Sequence, residues 1–240
     1  TYVDQGLLIR NAVAGKLRAD WSGSTLGLLL EGARTNRCLQ SESFAATWAA
    51  IGSPVNPGSI TLGGLNLQDI GDDNGAALEG YQQSIAFTGD GPKALSFFVR
   101  KKDANECRVD INDATAGATR LIATITFDGS GTPTVVMTGG TLLRTILLGN
   151  VVYRLEFATA SITAANNNQL RVFPAGATVL NTGNTYFGGF QCEDAIYPSS
   201  YIKTTAAAIT RAADALTFPI GFAPQDLTVY VRLPRPAWAD

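Results

Sequence analysis

The stretch Glu106-Cys107-Arg108-Val109-Asp110-Ile111-Asn112 decides the fold. Cys107, Val109 and Ile111 alternate with Arg108, Asp110 and Asn112. Successive side chains of an extended strand point to opposite faces, so this stretch predicts a half-buried strand with one apolar and one polar face. The same period recurs outward along the chain. Leu95, Phe97 and Val99 oppose Ser96, Phe98 and Arg100. Leu121, Ala123, Ile125 and Phe127 repeat it, as do Val151, Tyr153, Leu155 and Phe157 opposite Arg154 and Glu156. Gly149-Asn150, between the apolar runs 142–148 and 151–158, reads as a two-residue hairpin turn with glycine first. Asp128-Gly129-Ser130-Gly131-Thr132-Pro133 and Pro174-Ala175-Gly176 read as longer hairpin loops. About ten short strands separated by turn residues predict an antiparallel all-β jelly-roll sandwich rather than a βαβ arrangement. Helical signal is confined to a turn that Ser41 could cap, ending near Trp48, and to the short Ala-rich run 206–215.

Composition supports this class. Hydrophobic residues make up 45% and charged residues 16%, so Ser, Thr, Asn, Gln and Gly must furnish much of the surface. The 25 glycines and 10 prolines are dispersed, as many turns require, rather than gathered into a disordered tract. Net charge is −2 and no stretch concentrates Lys and Arg, so the chain lacks the electrostatic footprint of a nucleic-acid or anionic-membrane surface. Its apolar runs are too short to insert across a bilayer as helices. The three cysteines, Cys38, Cys107 and Cys192, lie far apart with no C-x-x-C pair; the reading is three free thiols, as in a reducing compartment. The amino end has no basic-then-apolar signal segment and no starting Met, and the sequence reads as one piece of a longer chain.

Two segments carry a resemblance. The first is Gly27-Leu28-Leu29-Leu30-Glu31-Gly32-Ala33-Arg34-Thr35-Asn36, followed by Ser41-Glu42-Ser43-Phe44 and Trp48. The second is Tyr186-Phe187-Gly188-Gly189-Phe190-Gln191-Cys192-Glu193, then Tyr197-Pro198-Ser199-Ser200-Tyr201-Ile202-Lys203-Thr204-Thr205 and Thr210-Arg211-Ala212-Ala213-Asp214. Together they resemble the signature of tailed-bacteriophage tail-fibre and head-spike modules with a carbohydrate-binding-module-like jelly roll. The tract 80–101 resembles that family's central strand pair, and Thr1-Tyr2-Val3-Asp4 with Arg18 and Asp20 its lead-in. The likeness covers residues 1–215, although 104–184 matches in strand pattern only. Gly32 and Arg37 stand where the family often has an acidic and an aliphatic residue, and Lys203 replaces a common proline. The resemblance implies a virion component assembled in the host cytoplasm, in contact with host-surface glycan or with other virion proteins, and working as a homo-oligomer such as a trimer. A chain that is 45% hydrophobic and 16% charged, with Phe98 on an otherwise polar strand face, also points to self-association. Residues 1–215 are then one sandwich. Residues 216–240, with the alternating run Leu227-Thr228-Val229-Tyr230-Val231-Arg232-Leu233, are a linker or the first strand of a further module.

Chemistry is constrained by what the chain lacks. It contains no histidine, which removes Ser-His-Asp and Cys-His catalysis, His-ligated zinc and the usual near-neutral base. Glycosidase chemistry needs a carboxylate pair across a sugar bond. No strand carries alternating acids, and the neighbours Glu193 and Asp194 point apart if extended. No catalytic residue is expected, and a non-enzymatic attachment module is preferred over a structural adaptor or a glycan depolymerase.

Binding candidates remain. Sugar sites pair an exposed ring with amide and carboxylate partners. Phe98, Tyr81, Trp48 and Tyr153 are candidate platforms, with Asp110, Asn112, Arg108, Gln82, Gln83 and Arg154 as candidate partners. Phe98 draws notice because it falls on the polar face of its strand; the alternative for each ring is packing, in the core or against another subunit. Asp69, Asp72, Asp73 and Asn74, read as a Gly-rich loop, offer oxygens to a structural calcium ion or form a solvated turn. An EF-hand is ruled out because no acid stands where its closing carboxylate belongs; counted from Asp69 that position is Gly80, just before Tyr81. Asp110 and Asn112-Asp113 form a second calcium candidate. Arg34 and Arg211, each near an acid (Glu31 and Asp214), predict that the two end motifs are adjacent edges clipped by Arg–carboxylate pairs.

Overall fold

A computed structural model describes residues 31–214 apart from 177 and 179. Nearer the amino end it also gives the backbone of two short hairpins, β1 (Tyr2–Val3) with β2 (Ile9–Arg10) and β3 (Ala19–Ser22) with β4 (Thr25–Leu28). The tail expected as a linker or further module, 216–240, lies outside the described residues.

Twelve strands form two six-stranded sheets. Sheet I has the order β14 (Gly140–Leu148), β15 (Val152–Thr159), β10 (Ala94–Lys101), β17 (Gly183–Glu193), β8 (Leu65–Asp72), β7 (Val55–Leu62). Sheet II has the order β13 (Pro133–Thr138), β12 (Ala118–Phe127), β11 (Glu106–Asp113), β16 (Asn168–Phe173), β9 (Gly80–Ile85), β6 (Ala49–Ile51). All pairings are antiparallel, and no helix occurs among the described residues. The protein is an all-β antiparallel sandwich. Its two apolar strand faces meet in one core, where Leu95, Phe97 and Val99 of sheet I pack with Cys107, Val109 and Ile111 of sheet II. Phe97 lies between Phe157 and Phe190, with ring centroids 5.6 and 5.4 Å away.

Two turns differ from expectation. The hairpin after β14 is centred on Asn150 and Val151, both at positive φ (55° and 58°), with Val152 N–H donating to the Gly149 carbonyl at 3.2 Å. The turn is therefore shifted one residue from a glycine-first turn, and a β-branched residue occupies the left-handed region. Pro174-Ala175-Gly176 is not a hairpin: β16 belongs to sheet II and β17 to sheet I, so the loop carries the chain across the sandwich.

The end motifs lie side by side. β5 (Arg34–Asn36) pairs with β18 (Ile209–Arg211), placing Arg34 opposite Arg211. Arg211 Nη1 reaches Glu31 Oε2 at 2.9 Å. Glu31 N–H donates to the Asp214 carboxylate at 2.8 Å, and Asp214 N–H donates to the Glu31 carbonyl at 2.9 Å. Arg34 stands outside this cluster, its Nη1 donating to the Ala33 carbonyl at 3.2 Å. Deeper in, the wholly buried Asn36 side chain donates to the Phe190 and Ile202 carbonyls (2.9 and 2.8 Å). It also accepts from the Cys38 and Cys192 amides (3.0 and 3.1 Å). One amide thus satisfies four backbone groups that the junction would otherwise bury unpaired. Gln191 and Glu193 do the same for the 199–202 turn: Ile202 N–H donates to Gln191 Oε1 at 2.6 Å and Ser199 N–H to Glu193 Oε2 at 2.8 Å.

Candidate functional site

Strand alternation places Arg108, Asp110 and Asn112 on the face of sheet II turned away from the core, and pairing register assembles neighbours around them. Asp110 lies opposite Ile122 of β12 and Arg171 of β16, and Arg171 lies opposite Gln82 of β9. In the next row Arg108 lies between Thr124 and Phe173. On the other side Asn112 lies between Thr119 and Gln169, and Gln169 faces Ser84.

The Asp110 carboxylate is buried at the centre. It accepts from Arg171 Nε at 2.6 Å and Nη2 at 3.2 Å, and pairs with Arg108 Nη2 at 2.7 Å. Both guanidiniums also lie against the Phe173 ring, 5.7 and 5.9 Å from its centroid, and that ring is buried although it points outward from its strand. Asn112 Nδ2 donates to Gln169 Oε1 at 3.5 Å, and Ser84 Oγ to Asn167 Oδ1 at 2.8 Å. At the end of β11, Arg120 first, then Asn166 and the Ala116 amide, hold the Asp113 carboxyl down at about 2. The face therefore presents amides, hydroxyls and the outer edges of two immobilised guanidiniums. Such groups can hydrogen-bond a ligand's hydroxyls, while the Asp110 carboxylate is engaged by two guanidiniums.

The expected platforms are placed differently. Phe98 is 1% exposed, on the outer face of sheet I beneath Tyr201 and with Arg154 5.8 Å from its ring centre. A Cβ at Gly189 (φ 60°) would run into the Phe98 ring, so the glycine in the Gly189-Phe190 bulge opposite β10 makes room for it. Trp48 is buried against Phe44 and Phe190 and donates from Nε1 to the Leu39 carbonyl at 3.2 Å. Tyr81 is half-buried on the core side, 4.9 Å from Phe44, and burial raises its phenol. Tyr153 is buried in the core. Phe98, Trp48 and Tyr153 are buried within the chain, which corrects the reading of each as an exposed platform, whereas Tyr81 packs on the core side and keeps part of its surface exposed.

The calcium candidates are also dispersed. Asp69 and Asp72 lie within strand β8 rather than a loop. Lys102 Nζ lies 2.6 Å from Asp69, and Asn184 Nδ2 donates to it at 2.8 Å. Asp72 caps the following turn, accepting from the Asn74 and Glu79 amides at 3.1 Å, and burial raises its carboxyl. Asp73 is exposed, and Asn74 Oδ1 accepts from the Ala76 amide at 3.0 Å. Among the described residues no three His, Cys, Asp or Glu side chains gather so as to hold a metal ion. The three thiols are free and buried, and burial pushes each upward.

Arg171, Gln169 and Phe173 were not among the sequence candidates. Their signal is the alternation of Gln169 and Arg171 with Leu170 and Val172, a run of six residues short enough to pass unread beside its Asn-rich flank.

No family model matches the chain, and no curated protein matches its sequence. Among solved structures, the crystal structure of the enzymatically active domain of tailspike protein 4 from bacteriophage CBA120 is similar with a TM-score of 0.37 and 12% identity. The match covers 65% of this chain and 21% of that one, so the chain spans about a fifth of that protein's length.

Proposed function

We propose that this chain is a non-enzymatic structural component of a tailed-phage virion, a fibre, spike or tail-tip module with a jelly-roll sandwich. On this reading the outer face of sheet II contacts host-surface glycan. The phage reading rests on the end motifs, and their interlocking through Asn36, Gln191 and Glu193 supports it: the resembling residues are those that close the sandwich. The contact reading is carried by one observation. The carboxylate at the centre of the face, Asp110, is neutralised by Arg108 and Arg171, leaving Asn112, Gln169, Gln82 and Ser84 as hydrogen-bonding groups. That set suits a neutral, hydroxyl-rich chain better than a hydrolytic reaction. The burial of Phe98, Trp48 and Tyr153 favours a second reading, an adaptor that holds other virion proteins without touching the host.

Retention of the purified chain on immobilised host-surface polysaccharide, with no new reducing ends released, is the expected result. Absence of retention on every host polysaccharide leaves the adaptor reading. Release of reducing ends that stops when one Asp or Glu is changed to its amide overturns the non-enzymatic reading in favour of a depolymerase.

A further inference from the structure

On one side of the sandwich the two sheets end in strands that a short turn at Gly139 joins but that do not pair with each other. Strands β13 and β14 are consecutive in the chain, and each is the outermost strand of its sheet among the described residues. An outermost strand leaves a row of backbone N–H and C=O groups unpaired, and folded proteins usually shield such edges with charge, proline, bulges or brevity. The opposite side of this molecule is shielded in those ways. There β6 has three residues, and β7 carries Pro57 within a register shift between Val55 and Gly58.

The β13–β14 side has less of this, its one register shift lying between Leu142 and Arg144 of β14. Residues 133–148 contain one charged side chain, Arg144, and it is bound to Glu156 of the neighbouring strand at 2.6 Å. The only proline, Pro133, begins the strand, and β14 runs for nine residues. Val136 is 64% exposed on the outer face of β13. Leu147, paired with Tyr153, points to the core side of β14 and is still 49% exposed. Among the described residues the core is therefore open along this side.

We propose that the β13–β14 edge is where a second copy of this chain docks, pairing strand to strand and closing the core. The open ladder calls for an extended strand as partner, and the lone, already neutralised charge calls for no counter-charge. Another β13–β14 edge meets both conditions. Nine residues make an edge about 30 Å long, and two sheets about 10 Å apart make it about 20 Å deep with side chains. That gives about 1,200 Å² in total, the lower limit for a specific stable interface. The proposal is independent of the glycan reading, because assembly and polysaccharide retention are measured separately.

Light scattering on the full chain at micromolar concentrations tests it. The expected result is a discrete multiple of 25.2 kDa. Leu147→Lys and Val136→Lys should each return the mass to the monomer with the circular dichroism spectrum unchanged, while Leu180→Lys, at an exposed residue of the crossover loop, should leave assembly intact. Amide exchange in 140–148 should slow as concentration rises. A monomer at all concentrations, an open-ended ladder of sizes, assembly that survives both lysines, or equal dissociation by Leu180→Lys would each overturn the proposal.

Discussion

The ring of Tyr201 stands edge-on to the ring of Phe98, centroids 5.5 Å apart and planes at 82°. Phe98 lies on the outer face of sheet I and Tyr201 in the closing segment. Their contact anchors a second apolar cluster with Leu65, Leu67, Leu148 and Val152, outside the main core. Tyr201 hydroxyl donates to Glu42 Oε1 at 3.0 Å and lies 2.7 Å from Ser41 Oγ, so the same side chain ties the closing motif to the opening one. Burial, then the Glu42 charge, raises its phenol far above the ordinary range. Tyr201→Ala should cost about 3–5 kcal/mol of stability by leaving a cavity. Tyr201→Phe should cost about 1–3 kcal/mol, because a buried Glu42 oxygen loses its donor. Denaturant titration measures both; a Phe variant as stable as wild type would contradict the latch role.

Asn36 is the densest polar junction between the end motifs. Asn36→Ala leaves two carbonyls and two amides buried without their partner. Each such group costs about 1–3 kcal/mol before relaxation, so a total of at least about 3 kcal/mol is expected. A loss below about 1 kcal/mol, the range of ordinary surface substitutions, would show that water or a shifted backbone replaces the amide.

Val151 is held at φ 58°, a region that suits glycine and strains a β-branched residue. Val151→Gly should relieve about 1–2 kcal/mol of strain and return part of it through the entropy of glycine, for a net gain near ~0.5–1 kcal/mol. The melting temperature should rise by about 1–4 °C. A fall would mean that the Val151 side chain contributes more by contact than its backbone loses.

The pH dependence of stability should carry the signature of Asp113. Its folded value, about 2, is below the unfolded value, so it binds protons less readily when folded. Its stabilisation is present above about pH 4 and is lost as pH falls toward 2. Asp128, held down chiefly by Ser130, acts in the same direction. Thermal melts of wild type and Asp113→Asn should differ at pH 6 and converge near pH 2. A difference that persists unchanged in acid would assign the effect to packing instead.

On the outer face of sheet II, contact groups and structural groups should separate. Asn112→Ala and Gln169→Ala should change stability by no more than about 0.5 kcal/mol. Each should weaken polysaccharide retention by a factor of about 2–10, the worth of one neutral hydrogen bond. Arg171→Ala should instead destabilise by about 2–3 kcal/mol, because it strips the buried Asp110 carboxylate of one of its two partners. Equal retention by the Asn112 and Gln169 variants and wild type would move the contact surface elsewhere.

By itself the sequence determined the class of fold and the polar face. The period-two runs around Val109, Phe97, Ile125 and Leu155 name the strands and their core sides, because alternation is a local property that any extended chain must obey. For the same reason Arg108, Asp110 and Asn112 were legible as outward residues. Only the tertiary structure decided what covers each face. Phe98 has the same outward direction as Arg108, yet a closing segment about a hundred residues later folds over it, and Arg108 is left at the surface. Asp69 and Asp72, which read as a loop, became strand because β17 pairs with β8 across more than a hundred residues of sequence. Asn36 gained its role from carbonyls and amides that meet only when both ends of the sandwich come together. Burial and register are set by partners distant in the chain, and a local pattern carries the direction of a side chain but not what waits there to meet it.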